Sequence, residues 1–250
     1  MIQELHRHDF FYILALKKGK GNHEIDFTSY EVRDSSIFFM RPGQVHQHIL
    51  KAGSGGYLIE FKTDFYSLHE KSSNEQLRRA SSVNFYQFDA VRFKALSFTL
   101  THIFQEYKKR EEGYLEVIKA NLAILFIELA RSQRKTVSSN VPSYTQECLE
   151  KFLALLESNI SNHKQATHYA EMLNLSLYQL NAVTRETLGK TCSELINEYI
   201  ILESKRYLLA TSNQINQIAN HLGYEDVSYF IRFFKKHTGY TPEVFRKNFM

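Results

Sequence analysis

The sequence predicts a multidomain α+β protein. An N-terminal antiparallel β-barrel or sandwich with a helical hairpin precedes an all-α half carrying two helix-turn-helix units. Three observations carry this expectation. Short apolar runs separated by Gly, Pro and Asp fill the first third of the chain. Apolar residues at helical spacing take over near Arg92 and continue to the C-terminus. The second half also repeats itself in a diverged form.

The strands come first. "FFYILALK" (Phe10–Lys17) is a continuous apolar run of buried-strand length, stopped by "KGKGN". "HEIDF" (His23–Phe27) alternates weakly and leads into "TSY" and "EV". "SIFFM" (Ser36–Met40) ends at Pro42-Gly43, and "GYLIEF" (Gly56–Phe61) follows the glycine-rich "AGSGG". Such close spacing suits an antiparallel barrel, expected over residues 1–90.

The hairpin is expected over residues 91–133. Phe93, Leu96, Leu100, Ile103, Phe104 and Tyr107 recur at helical spacing. Glu111-Glu112-Gly113 interrupts them, and Leu115, Ile118, Leu122, Leu125, Phe126 and Leu129 mark a second helix. Leu122, Phe126 and Leu129 are expected to contribute to a homodimer. The polar stretch "SQRKTVSSNVPSYTQE" suggests a linker at 134–143, leaving a helical domain at 144–250.

That domain contains the repeat. "YAEMLNLSLYQL" (Tyr169–Leu180) parallels "IANHLGYEDVSYF" (Ile218–Phe230). Each has an Ala, a Leu three residues on, and then a turn residue, Asn174 or Gly223. Glycine, and less readily asparagine, accepts the left-handed conformation that ends a helix sharply. "GKTCSEL" (Gly189–Leu195) and "GYTPEVF" (Gly239–Phe245) continue the register, and Thr241-Pro242 is a strong helix start. "CSELINEYIILESKRYLLATS" reads as the helix joining the copies. In the second copy Asp226 caps a helix to about His237, with Val227, Phe230, Phe233 and Phe234 inward. Ser228, Tyr229, Arg232, Lys235 and Lys236 fall on the other side. The second helix of such a unit is the one that enters the DNA major groove.

"IANHLGYEDVSYFIRFFKKHTGYTPEVFR" closely resembles the C-terminal signature of the AraC/XylS family of bacterial transcription regulators. The resemblance runs from about Tyr144 to the end. The N-terminal "HRHDFFYILALKKGKGNHEIDFTSYEV", with "IFFMRPGQVHQHIL" and "GYLIEF", resembles the cupin-like effector domain common in that family. The resemblance implies a sequence-specific, effector-responsive regulator, with an activator role among its expected attributes. It implies two recognition helices in successive major grooves of operator DNA. The matching base-facing positions are Tyr178, Asn181, Ala182 and Arg185 in the first helix, and Ser228, Tyr229 and Arg232 in the second. Ala182 stands where many members carry a polar or basic residue, and Thr184 where a core aromatic is common. The first unit is therefore expected to contribute less base readout. A small-molecule effector, a homodimer and contact with RNA polymerase complete the expected partners.

Charge and chemistry bound the alternatives. From Val141 onward the chain has 11 Lys+Arg and 11 Asp+Glu, but from Ser204 onward 7 basic against 3 acidic residues. A basic face on a neutral domain suits groove binding with modest non-specific affinity. No apolar run approaches the ~20 residues of a membrane helix, and no secretory h-region opens the chain. With two cysteines, Cys148 and Cys192, a cytoplasmic protein without membrane partner is expected.

His6-x-His8 and Pro42-Gly43-x-x-His46 resemble the two metal-ligand strands of cupins, but the glutamate expected soon after the second histidine is missing. Asp9, next to His8, should point to the opposite face, whereas His48 shares a face with His46. His6, His8, His46 and His48 are thus candidate effector-binding residues, and neither a metal set nor a cofactor is expected. No catalytic constellation stands out, so an enzyme is not expected. The alternatives are a cupin-type metal-binding protein or metalloenzyme with an accessory DNA-binding domain, and a DNA-binding protein whose barrel only dimerises.

Overall fold

The computed structural model describes residues 1–66, 71–136 and 143–249. The chain divides into two compact units, Met1–Ser138 and Ser139–Met250. The expected linker at 134–143 falls largely on residues 137–142, which lie outside the described residues.

Among its described residues the first unit has eight strands: β1 (Ile2–Arg7), β2 (Phe11–Lys18), β3 (Gly21–Ile25), β4 (Thr28–Val32), β5 (Ser36–Met40), β6 (Val45–Leu50), β7 (Gly55–Phe61) and β8 (Phe85–Gln87). They form two antiparallel sheets, ordered β1-β6-β3-β4 and β7-β2-β5-β8. β2 explains why its sequence is apolar without alternation. One face, Tyr12, Leu14 and Leu16, packs with Ile25, Val32, Phe38, Met40 and Leu50. The other face, Phe11, Ile13 and Ala15, joins a second core with Phe39, Leu100, Leu122 and Phe126. A strand buried on both faces has no polar side.

The expected strand His23–Phe27 is corrected by its turn. Asp26 and Phe27 have φ of 48° and 66°. Two left-handed residues make the hairpin turn whose twist matches the flanking strands, so β3 ends at Ile25. The stretch after β7 forms α1 (Thr63–Tyr66) and α2 (Lys71–Ala80) before β8. Neither α2 nor β8 was expected. α2 is mostly polar, and β8 is three residues long, too short for a periodicity.

The hairpin is α3 (Ala90–Lys109) and α4 (Tyr114–Thr136). Asp89 caps α3 by accepting from the Arg92 amide at 2.7 Å, and Arg110 ends it in the left-handed region. The helix α4 takes in 134–136, which the sequence pattern assigned to the linker. Leu122, Phe126 and Leu129 are fully buried, and the Phe126 ring lies 5.5 Å from Phe39, 6.1 Å from Phe61 and 4.9 Å from Tyr66. The expectation that these three carry a homodimer is therefore wrong. Their apolar periodicity reports packing on the sheet.

The second unit is helical: α5 (Ser143–Asn159), α6 (Ala166–Met172), α7 (Leu177–Leu188), α8 (Cys192–Ala210), α9 (Ile215–His221), α10 (Val227–Thr238) and α11 (Pro242–Phe249). The repeat is real in three dimensions. α6 and α9 have 7 residues each, and α7 and α10 have 12. Asn174 and Gly223 take φ of 55° and 70° at the turns. Ala170 and Ala219 are buried. Gly189 and Gly239 end α7 and α10 in the left-handed region. Among the described residues no helix is long and apolar enough to cross a membrane.

Candidate nucleic-acid interface

The helix α10 separates its residues sharply by face. Phe230 and Phe234 are fully buried, and the Phe234 ring meets Phe245 of α11 edge-on at 5.4 Å. Each buried phenylalanine contributes roughly 1.5–3 kcal/mol. Ser228, Arg232, Lys235 and Lys236 are exposed, and so is Tyr229. At the N-terminus Asp226 accepts from the Ser228 amide at 2.7 Å, meeting one of the orphan donors there. The turn before α10 is held by Lys164. Its ammonium donates to the Gly223 carbonyl at 2.7 Å and lies 4.8 Å over the Tyr224 ring. Partial burial lowers the Lys164 pKa.

Arg232 lies 3.8 Å from Asp226. That distance and the exposure of both groups leave the guanidinium weakly held. Tyr229 is 56% exposed and Tyr178 is 84% exposed, so neither is spent on core packing.

The helix α7 offers less. A capping box of Ser176 and Gln179 starts it. Tyr178, Ala182 and Arg185 are exposed. Asn181 is half-buried, and its Oδ1 accepts from the Cys192 amide at 3.0 Å. Its carbonyl thus anchors the start of α8. Thr184 is fully buried and its Oγ1 lies 3.7 Å from Cys192 Sγ. The position often filled by an aromatic is here a small polar contact. Burial raises the Cys192 thiol pKa.

The candidate effector histidines converge in the first unit, and a fifth joins them. His6 pairs across the strands with His46, and His23 with His48. His23, His46 and His48 are essentially inaccessible to solvent. His23 Nε2 and His46 Nδ1 are 3.0 Å apart, close enough to share a proton. The rings abut Phe38 and Tyr12, at 4.7 Å from His23 and 5.1 Å from His46. Burial, then the neighbouring imidazoles, lowers the pKa of His23 to about 3 and of His46 to about 2. His8 and His48 are lowered too, chiefly by burial. His6 and His8 are half-buried; His8 lines a surface cleft with Arg7, Asp9, Pro42 and Gly43.

Sequence reasoning missed His23. It sits two residues before Ile25, so strand alternation gives both the same inward face. A separate cavity of about 580 Å³, lined among others by Tyr57, Phe61, Phe65, Leu100, Phe104 and Leu122, was also not foreseen. It needs the hairpin folded against β7.

Two family profiles match the chain. "AraC-like ligand binding domain" matches residues 3–66, and "Helix-turn-helix domain" matches 169–248. The HTH-type transcriptional regulator YfiF of Bacillus subtilis is 24% identical over 250 residues, covering 97% of this chain and 78% of that protein. The HTH-type transcriptional activator RhaR of Mannheimia succiniciproducens is 21% identical, covering 98% of this chain and 88% of its own length. Among solved structures, ToxT of Vibrio cholerae covers 98% of this chain and 91% of its own, with 18% identity and a TM-score of 0.47. With an effector-type domain before a paired helix-turn-helix domain, the chain belongs to the AraC family of DNA-binding transcription regulators.

Proposed function

We propose that this regulator reads operator DNA with α10 as its principal reader and α7 as an auxiliary one. The observation that carries this is the exposed row Ser228, Tyr229, Arg232, Lys235 and Lys236, opposite buried Phe230 and Phe234. Arg232 bonds a guanine edge, and Lys235 and Lys236 contact phosphates. In α7, Tyr178, Ala182 and Arg185 face the groove, and Asn181 contributes its amide donors only. The chain acts in the cytoplasm as an activator, a homodimer in contact with RNA polymerase. The dimer uses outward apolar residues of the first unit, such as Phe98 and Ile124, in place of the buried Leu122, Phe126 and Leu129.

The effector is a small, largely apolar molecule in the cavity between β7 and the hairpin, where Glu60 is a polar lining group. A second reading places it at His6, His8, His46 and His48, favoured by the cleft that His8 lines. Genome-wide DNA capture with the purified full chain tests the main reading. It should enrich a bipartite motif with half-elements about one helical turn apart. Recovery of DNA without any shared motif would sink it. The genes beside the motif then supply effector candidates, to be checked by a ligand-induced rise in Tm.

A further inference from the structure

Five imidazoles converge in the first unit, and the three deepest are left short of partners. Both ring nitrogens of His48 make no hydrogen bond, and His23 Nε2 and His46 Nδ1 have only each other, 3.0 Å apart, although these side chains are at most 1% exposed. Buried polar atoms left unpaired typically cost about 1–3 kcal/mol each, and they ask for an explanation. We propose that His23, His46 and His48 bind one divalent transition-metal ion of the zinc class.

The geometry suits it. One ring nitrogen from each residue lies within 4.8 Å of one from each of the others. His23 Nε2 and His46 Nδ1 are 3.0 Å apart, whereas two imidazole nitrogens on a tetrahedral zinc are about 3.3 Å apart. Replacing the shared proton by an ion therefore needs a shift of only a few tenths of an ångström between that pair. The His48 ring turns about its side-chain bonds to bring in the third nitrogen. β3 and β6 hold the ligands in register, with His23 opposite His48.

The donor set selects the metal. Three neutral imidazoles without a carboxylate or thiolate suit zinc, copper or nickel, not magnesium or calcium. Three protein ligands also leave a fourth position for water or an anionic group.

A second triad, His6, His8 and His46, shares His46 and competes for the same ion. It is less suited. His6 already has Nδ1 within 2.8 Å of the Glu4 carbonyl and Nε2 within 3.1 Å of Gln3 Nε2. His8 Nδ1 lies 3.0 Å from the Phe10 carbonyl, leaving only its Nε2.

The test uses the full-length protein, stripped with a chelator and titrated with Co²⁺. One equivalent should bind with the intense visible absorption of a tetrahedral site, and Zn²⁺ should displace it. His23→Gln and His48→Gln should each weaken binding by about 100-fold or more, as loss of a ligand exceeds the loss of an outer-shell partner. His6→Gln and His8→Gln should leave it within a few-fold. Should the buried variants misfold, X-ray absorption of the zinc-loaded wild type decides. Three imidazoles on the ion, with binding kept in the His6 and His8 variants, support the site. Absence of one-equivalent binding, fewer than three imidazoles, or a loss that follows His6 and His8 overturns it.

Discussion

Arg232 and Asp226 lie 3.8 Å apart, with side chains 69% and 62% exposed. An ion pair of that kind contributes at most about 1 kcal/mol, so Arg232→Ala should leave the fold intact. On operator DNA it should cost roughly 1–3 kcal/mol and relax the preference at one base position. Lys236→Ala should weaken all sequences alike and reduce the salt slope by about one ion. Phe234→Ala is of another kind. It empties a fully buried site and should destabilise the second unit by roughly 3–5 kcal/mol. Binding curves at several salt concentrations, beside thermal melts, separate the three. An Arg232→Ala protein that binds its operator like wild type would remove α10 as the reader. Gly223 supplies a fourth case. It sits at φ +70°, and a Cβ there would lie 1.6 Å from the Ser161 carbonyl oxygen. Gly223→Ala should therefore lower stability by more than the roughly 1–2 kcal/mol of a left-handed alanine alone, and a denaturant melt checks it. The need for glycine was legible in the repeat. The approach of Ser161 was not, because it depends on a segment far away in sequence.

Among the elements, those with a strong local rule were legible. The turns at Asn174 and Gly223, the caps at Asp226 and Thr241, and the glycine ends of α7 and α10 all follow from backbone chemistry. β3 and β4 were misread at their junction because Asp26 and Phe27 look like strand residues until their positive φ is known. The hairpin shows a different limit. Periodicity marks an apolar face but not what covers it. In α4 the face carrying Leu122, Phe126 and Leu129 is covered by the sheet, with Phe39 and Phe61 in the same core. Leu122→Ala should then act as a core truncation, costing about 2–5 kcal/mol, and leave any self-association unchanged. Sedimentation of the folded variant beside wild type measures that. A variant that stays stable and loses a wild-type dimer would restore the interface reading. The histidine cluster lies at the same limit. His46 and His48 were legible as one strand face, but His23 enters through the pairing of β3 with β6, a contact between strands that no local spacing reveals.

At the scale of the whole chain, the division into Met1–Ser138 and Ser139–Met250 predicts that DNA binding is separable from effector binding. The second unit has its own core. Phe152 and Tyr169 meet edge-on at 5.7 Å, and Phe230, Phe234 and Phe245 close the other end. The helix α8 packs against helices of both repeats, α6 and α7 as well as α9, α10 and α11. Its Glu203 and Arg206 form a buried ion pair, and its Leu208 carbonyl accepts from Arg246 of α11 at 2.9 Å. A fragment from Ser139 to Met250 should therefore unfold in a single cooperative transition. It should bind the operator alone, but more weakly than a dimeric full chain, which gains effective concentration at the second half-site. Its equal numbers of acidic and basic residues from Val141 onward predict weak binding to unrelated DNA, because phosphate neutralisation dominates non-specific affinity. Anisotropy titrations of fragment and full chain on operator and scrambled DNA check both statements. If the fragment is unfolded by circular dichroism, the two units do not fold independently. If it folds but binds both DNAs equally, the second unit is not sufficient for specific recognition.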